Sequence, residues 1–320
     1  MTQLDQRNPG AGPQTMAPSF EEQLNPVSRR ARRVARAVRR MSARALGRPI
    51  DILVEIRWRL GDEIMALPVY EAIHERYAPC RVHVWCNYPE ILEDNPHADS
   101  VNAQDVHPHR YILLRGARRD ASRIEEYALR AGVPAPSARP KLYYQDWNSP
   151  ILDRLPPGDG PLIAIASGTS WPAKRWPLKY WRRACGELLD QGVRMVELGQ
   201  GDETIGVGAN LVGETTVREA AAVLRAANLL VCSDSGLMHL ALAAGAPVLA
   251  LFGPTDPSIL IRGEDRFNVI TNGRDCQGCW NVSQRMVTEG VCPLLVPECL
   301  GTIASHSVAA RALELVRDGR

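Results

Sequence analysis

A chain of 320 residues, 45% hydrophobic and 23% charged, has the make-up of a globular protein and is long enough for two domains of ordinary size. Its 38 basic and 36 acidic residues leave a formal net charge of +2, which excludes the global basic bias of a nucleic-acid-binding chain. No apolar run approaches the roughly 20 residues that cross a bilayer and no secretory apolar segment follows Met1, so a cytoplasmic protein is expected.

Residues 1–26, polar and rich in Pro and Gly, read as a disordered leader. Between Ser28 and Arg48 stand nine arginines, and Val27, Val34, Val38, Met41 and Ala45 recur at the spacing of one helical stripe. Residues 1–48 therefore read as a basic arm, disordered and then an amphipathic helix. Such a helix suits the surface of an anionic membrane, at the inner face of the cytoplasmic membrane, or stands as a solvated basic arm. Its stripe lacks a Trp or Phe anchor, and no aromatic residue lies among the arginines to stack on nucleic-acid bases.

The first buried strand is predicted over 50–56 (IDILVEI), and Gly61-Asp62 follows it before a helix over 63–77. A carboxylate just past a strand faces the cleft of a doubly wound domain and is well placed as a general base. Asp62 equally suits the N-cap of the helix that follows, which would make it a weak base, and Glu63 ranks second. Strands over 81–86, 101–106 and 111–114 and a helix over 122–131 continue an alternating α/β pattern, which implies a mostly parallel sheet. The Pro- and Gly-rich segment 155–161 has linker chemistry, so the domains are expected at 49–156 and 157–304.

The second half repeats the pattern: a strand over 162–166, a helix over 179–191, a strand over 193–198 and a helical piece over 217–226. After its first strand, Ser167 to Ser170 form a turn of hydroxyl and N–H donors, with Lys174 and Arg175 beside it. Together they suit the neutralisation of a leaving diphosphate. Alternatively this is a surface loop whose Trp171 and Trp176 pack on the domain. After the strand over 193–198, a carboxylate beyond Gly199 and Gly201 can accept ribose hydroxyl bonds, and Asp202 and Glu203 are the rivals for that role.

Residues 229–257, LLVCSDSGLMHLALAAGAPVLALFGPTDP, read as strand, tight turn, helix and strand, a parallel βαβ unit. The small residues Asp234, Ser235 and Gly236 let a phosphate approach a helix amino terminus, and His239 in its first turn adds a proton donor. Asp234 and Ser235 are also good N-caps.

Cys276-x2-Cys279-x12-Cys292-x6-Cys299 has the spacing of metal ligands, for a structural zinc or iron, or is a set of reduced thiols in the loop 276–299. Residues 305–320 read as a final amphipathic helix.

Three of these segments, in order and spacing over roughly residues 50–320, resemble glycosyltransferase family 9, the ADP-heptose:lipopolysaccharide heptosyltransferase family. They are GDEIMALPVYEAIHERY, SWPAKRWP and the Asp-Ser-Gly-x-x-His segment ahead of Phe-Gly-Pro-Thr-Asp-Pro. The resemblance implies the GT-B fold, two Rossmann-like domains facing across a cleft, with the acceptor bound by the first domain and the nucleotide sugar by the second. It implies an inverting glycosyl transfer from an ADP-sugar, ADP-heptose by family, to a hydroxyl of a glycan or glycolipid acceptor such as lipopolysaccharide core. Asp62 is then the base. Thr169, Ser170, Lys174, Asp234, Ser235, Gly236 and His239 hold the nucleotide sugar, and Glu203 its ribose. No cofactor is required for catalysis, although the autotransporter-modifying branch of the family holds iron through such cysteines. The short stretch between Leu114 and Ser122, where larger relatives carry extra segments, leaves the acceptor open, a protein hydroxyl included. A nucleotide-sugar epimerase and a non-catalytic nucleotide-sugar-binding protein of the same fold are the other classes.

Overall fold

The computed structural model describes residues 19, 26–116, 121–201, 204–261, 267–281, 291–292, 294 and 298–318. They fall into two compact units, one ending at Gln145 and the other beginning at Asp146. That division lies ahead of the segment 155–161, where a linker is expected from the sequence. The segment leads instead straight into a strand of the second unit, and Arg194 fastens it through Nε to the Gly160 carbonyl (2.7 Å) and Nη1 to that of Pro156 (2.7 Å).

The amino-terminal unit is built on four parallel strands, β1 (Ile50–Ile56), β2 (Cys80–Cys86), β3 (Ser100–Val101) and β4 (Arg110–Leu113), in the order β3-β2-β1-β4. A near-continuous apolar run makes β1 the buried centre, and Ile52, Val54 and Ile56 have no exposed surface. Helix α2 (Leu60–Tyr77) follows β1, and α3 (Arg123–Ala131) packs against α2. Ser122 caps α3 in a reciprocal capping box with Glu125, and Gly132 ends it in the left-handed region (φ 70°), where a side chain would be strained. The strand expected over 101–106 stops after two residues. Asn102 turns the chain away with φ 53°, while its amide takes the Cys86 N–H (3.0 Å) and donates to the Cys86 carbonyl (3.1 Å).

The amino-terminal helix α1 (Pro26–Ala45) packs on β1 and β4. It turns Arg29, Arg36, Arg40 and the buried Ala43 inward, whereas Val27, Val34, Val38 and Met41 are 57–79% exposed.

The carboxyl-terminal unit has six parallel strands: β5 (Leu162–Ala166), β6 (Arg194–Glu197), β7 (Ala209–Asn210), β8 (Leu229–Ser233), β9 (Val248–Leu251) and β10 (Phe267–Ile270). Their order, β10-β9-β8-β5-β6-β7, is that of a Rossmann sheet, which places a strand-order reversal between β5 and β8. Around it lie α4 (Leu178–Leu189), α5 (Val217–Ala226), α6 (Gly236–Ala244), the single turns α7 (Pro257–Leu260) and α8 (Glu298–Gly301), and α9 (Ser305–Arg317), which packs on α4. Trp176 and Trp181 are buried edge to face at 4.9 Å, an arrangement worth about 0.5–1.5 kcal/mol beyond burial, and Trp176 donates to the Ile303 carbonyl.

Candidate functional site

In the carboxyl-terminal unit three neighbouring strand ends meet. The loop after β5 passes through a 3-10 turn, Pro172–Lys174; β8 runs into Asp234 and α6; β9 runs into Gly253, Pro254 and Thr255. Asp234, only 5% exposed, is the point of convergence. Its Oδ2 accepts from Lys174 Nζ at 2.5 Å and from Thr255 Oγ1 at 2.6 Å. Burial alone would raise this carboxyl, but the Lys174 charge with the Lys174 and Thr255 hydrogen bonds outweighs it and holds Asp234 below the usual carboxylate range. Lys174 also lies over the Trp171 ring, 4.6 Å from its centroid. The Trp171–Trp176 segment therefore divides: Trp176 is core, and Trp171 belongs to the site.

Asp234 is not an N-cap, because its carboxylate is committed across the strand ends. Ser235 holds the N-cap position of α6, but its side chain makes no capping bond and its Oγ is buried without a partner among the described residues. Among the described residues the N-cap side chain therefore leaves the first N–H groups of α6 uncapped, the arrangement in which helix amino termini take anions. His239 stands one turn along α6, buried, with its ring pushed down to about 4 by burial; the Asp234 charge pulls it up and that of Lys174 down. The ring is therefore neutral near pH 7 and can act as a neutral N–H donor, not a cation.

Thr169 is half-buried beside this cluster, its Oγ1 3.5 Å from the Trp171 nitrogen, and Ser170 is exposed. Glu203, the expected ribose ligand, and its rival Asp202 lie outside the described residues. Glu197 in the same segment is 2% exposed and accepts the N–H groups of Ile205, Gly206 and Val207 at 2.7–2.8 Å, which anchors that loop. Neither Thr255 nor Glu197 was singled out from the sequence. Thr255 sat within the quoted Gly-Pro-Thr-Asp-Pro motif, and Glu197 showed only as an acid inside an otherwise apolar strand.

The expected four-thiolate metal site does not fit. Among the described residues no three His, Cys, Asp or Glu side chains form a group able to hold a metal ion. Cys276 is exposed on a turn, whereas Cys299 is buried in the main core, its Sγ so close behind Gly253 that a Cβ there would stand 2.7 Å away. Burial, ahead of the charges of the other three cysteines, pushes the Cys299 thiol up to about 11, which keeps it protonated. Cys292 packs with Ala173, joined by Trp171, Cys279 and Trp280, directly against the turn that carries Lys174. The N–H groups of Gly278 and Trp280 bond to the carbonyls of Gly253 and Pro254, ahead of Thr255. The described part of this loop therefore buttresses two of the three site turns.

In the amino-terminal unit α2 begins at Leu60, earlier than expected, with Arg59 at its N-cap. Asp62 is consequently inside the first turn and not a cap. Tyr127 donates to its Oδ1 at 3.2 Å, and Arg123 Nε lies 3.5 Å away. Both come from α3, where a spacing of four puts them on one face, a signal present in the sequence but not used. Tyr127 is fully buried; burial first, then the Asp62 charge, raises its phenol well above the ordinary value, so it stays a donor. Glu63, the second candidate base, is 1% exposed and accepts the N–H groups of Trp58, Asn87 and Tyr88 at 2.9–3.2 Å. It ties the β1–α2 junction to the end of β2, and burial pushes it up to about 8 against the pull of those donors.

Residues 124–287, just over half of the chain, match the model of glycosyltransferase family 9 (heptosyltransferase). Lipooligosaccharide heptosyltransferase 2 of Haemophilus influenzae is 32% identical over 128 residues, 35% of this chain and 37% of the relative. Lipopolysaccharide heptosyltransferase 2 of Escherichia coli is 34% identical over 112 residues, 30% of this chain and 32% of the relative. The chain thus spans about a third of the length of these curated relatives. Among solved structures, the iron-containing heptosyltransferase TibC in complex with ADP-D-beta-D-heptose gives a TM-score of 0.70 at 18% identity, covering 85% of this chain and 77% of that one. E. coli ADP-heptose lps heptosyltransferase II gives 0.67 at 19%, covering 84% and 99%. At such identities the likeness is one of fold, the GT-B class. Taken with the family match, the chain belongs to glycosyltransferase family 9.

Proposed function

We propose that the chain is an inverting glycosyltransferase that moves heptose from ADP-heptose to a hydroxyl of a cell-envelope glycan of the lipopolysaccharide-core type. The carrying observation is the Asp234 cluster: a lysine oriented by a buried carboxylate and a threonine beside an uncapped helix amino terminus. Negative charge grows on the diphosphate as the anomeric C–O bond breaks, and groups fixed in advance at that place stabilise it without reorganising. Lys174 has N–H donors beyond the one spent on Asp234, the α6 amino terminus supplies others, and neutral His239 adds one more. Thr169 and Ser170 line the donor site and Glu203 takes the ribose.

Asp62 accepts the proton of the acceptor hydroxyl as the oxygen bonds to the anomeric carbon, and ADP departs with the electron pair. Arg123 and Tyr127 orient that carboxylate. No step passes through a metal. No described helix is long and apolar enough to cross a membrane. The outward stripe of Val27, Val34, Val38 and Met41, flanked by arginines, supports peripheral contact of α1 with an anionic membrane from the cytoplasmic side.

The test is incubation with ADP-heptose and a cell-envelope extract. The expected result is ADP release only when extract is present, with a product heavier by one heptose in mass spectrometry. ADP release without acceptor, or no mass gain, overturns the proposal.

A further inference from the structure

Trp171 stands at the head of the 3-10 turn Pro172–Lys174. Pro172 sets the first φ of that turn, and the Lys174 N–H closes it on the Trp171 carbonyl at 2.9 Å. Side chains at i and i+3 eclipse in a 3-10 turn, so the string Trp-Pro-Ala-Lys brings an indole and an ammonium to one side. The Lys174 Nζ lies 4.6 Å from the Trp171 ring centroid, inside the roughly 6 Å over which a ring quadrupole attracts a cation.

Core packing does not account for this placement. Trp176, further along the same segment, is 2% exposed, whereas Trp171 is only half-buried. The Trp171 ring is nevertheless fixed. It lies 6.4 Å from the Trp280 ring, and both indoles pack with Cys279 against the buried pair Ala173 and Cys292. Trp280 is tied in turn to the strand-end loop of β9, its N–H bonding to the Pro254 carbonyl at 2.8 Å. A lysine ammonium rides on a long flexible stem, and a carboxylate alone restrains it through a single bond. Asp234 takes one Lys174 N–H at 2.5 Å, and the indole face attracts the same charge from a second direction. The lysine side chain is 15% exposed, a partly desolvated setting in which a cation–ring contact is stronger than at an open surface. With the ammonium held twice, an N–H donor is left for a phosphate oxygen.

We infer that Trp171 is a positioning residue for Lys174: its indole face holds the ammonium beside Asp234 and thereby raises the affinity of the site for a diphosphate. The inference rests on the proposal that the Asp234 cluster binds the nucleotide sugar. Through the Trp171–Trp280 contact, it also gives the described part of the Cys-rich loop a bearing on donor binding.

ADP is titrated calorimetrically into the full chain and its variants, each checked for folding by circular dichroism. Trp171→Leu keeps an apolar side chain but removes the ring, and is expected to weaken ADP binding about fivefold. Trp171→Phe restores a ring face and is expected to change it less than twofold. The same Trp171→Leu change is then made in the Lys174→Ala/Asp234→Asn background, where the cation is gone. A residue that acts through another adds nothing once that other is removed, so the further loss there should be less than twofold. Equal losses in the Leu and Phe variants overturn the inference. So does unchanged affinity in Trp171→Leu, or a loss of full size in the background without the lysine. These outcomes leave the donor-site proposal standing, whereas a wild-type chain that binds no ADP overturns that proposal and this inference with it.

Discussion

At the strand-order reversal of the amino-terminal unit an acid, Asp62, follows the first strand, and its donors Arg123 and Tyr127 follow the fourth. In the carboxyl-terminal unit the arrangement is exchanged: the cation Lys174 follows the first strand and the acid Asp234 the fourth. Asp62 keeps 15% of its side chain exposed, whereas Asp234 keeps 6% and has an ammonium and a hydroxyl on a single oxygen. The same topology therefore yields a carboxylate that can meet a proton and one that works by holding another group still. Burial and the identity of the partner decide the role, because a buried, ion-paired carboxylate gives up proton affinity for orientation.

The sharpest test of that contrast is Asp62→Asn, expected to lower transfer about 10²–10⁴-fold, the usual effect of losing a general base, while ADP affinity changes less than twofold. Turnover near wild type would leave Asp62 as a structural acid like its counterpart. Lys174→Ala is expected to cost about 3–5 kcal/mol of stability, since it strands the buried Asp234 charge, and to weaken ADP binding tenfold or more. Adding Asp234→Asn should restore much of the stability but not the affinity. A double variant no more stable than the single one would deny the pairing.

His239 supplies a pH signature. Its folded value, about 4, lies below the ordinary imidazole value of 6.5, so its contribution is complete above pH 6.5 and is lost as pH falls through 4. Denaturation at stepped pH should show a loss of about 3 kcal/mol across that window, absent in His239→Gln. Asp234, also lowered, loses its own share only below 3.8, which separates the two. A smaller effect is expected from Glu197→Gln. It leaves one oxygen for the three N–H groups of 205–207 and should cost about 1–3 kcal/mol with little change in ADP affinity.

The buried strands were legible: β1 and β5 have the bounds their apolar patterns predict, because parallel strands covered on both faces carry apolar residues at their centres, and helix α5 has the bounds read for it as a helical piece. The residues of the Asp234 cluster were legible as a motif, but not their bonding. A string Asp-Ser-Gly does not tell whether the acid caps its own helix or crosses to Lys174 from another strand end. Position relative to a helix start was lost for the same reason. Glu63 reaches back to the Trp58 N–H in place of a capping side chain, so α2 starts before the residue types that mark a start. Cysteine spacing along the chain was legible but not depth: Cys276 is exposed and Cys299 buried, and among the described residues no three candidate ligands form a group that could hold a metal ion.

Asn102 has a consequence beyond its own turn. A strand at the border of a sheet offers rows of unsatisfied N–H and C=O groups to any other extended chain, and long flat borders seed association between molecules. Here β3 is such a border, and it is only two residues long. The Asn102 amide, held at positive φ, occupies both the donor and the acceptor of Cys86 where a third strand residue or a foreign strand would pair. One side chain thereby closes to templated growth the end of β2 that the short β3 leaves uncovered, a protection needed most while the chain is folding in a crowded solution.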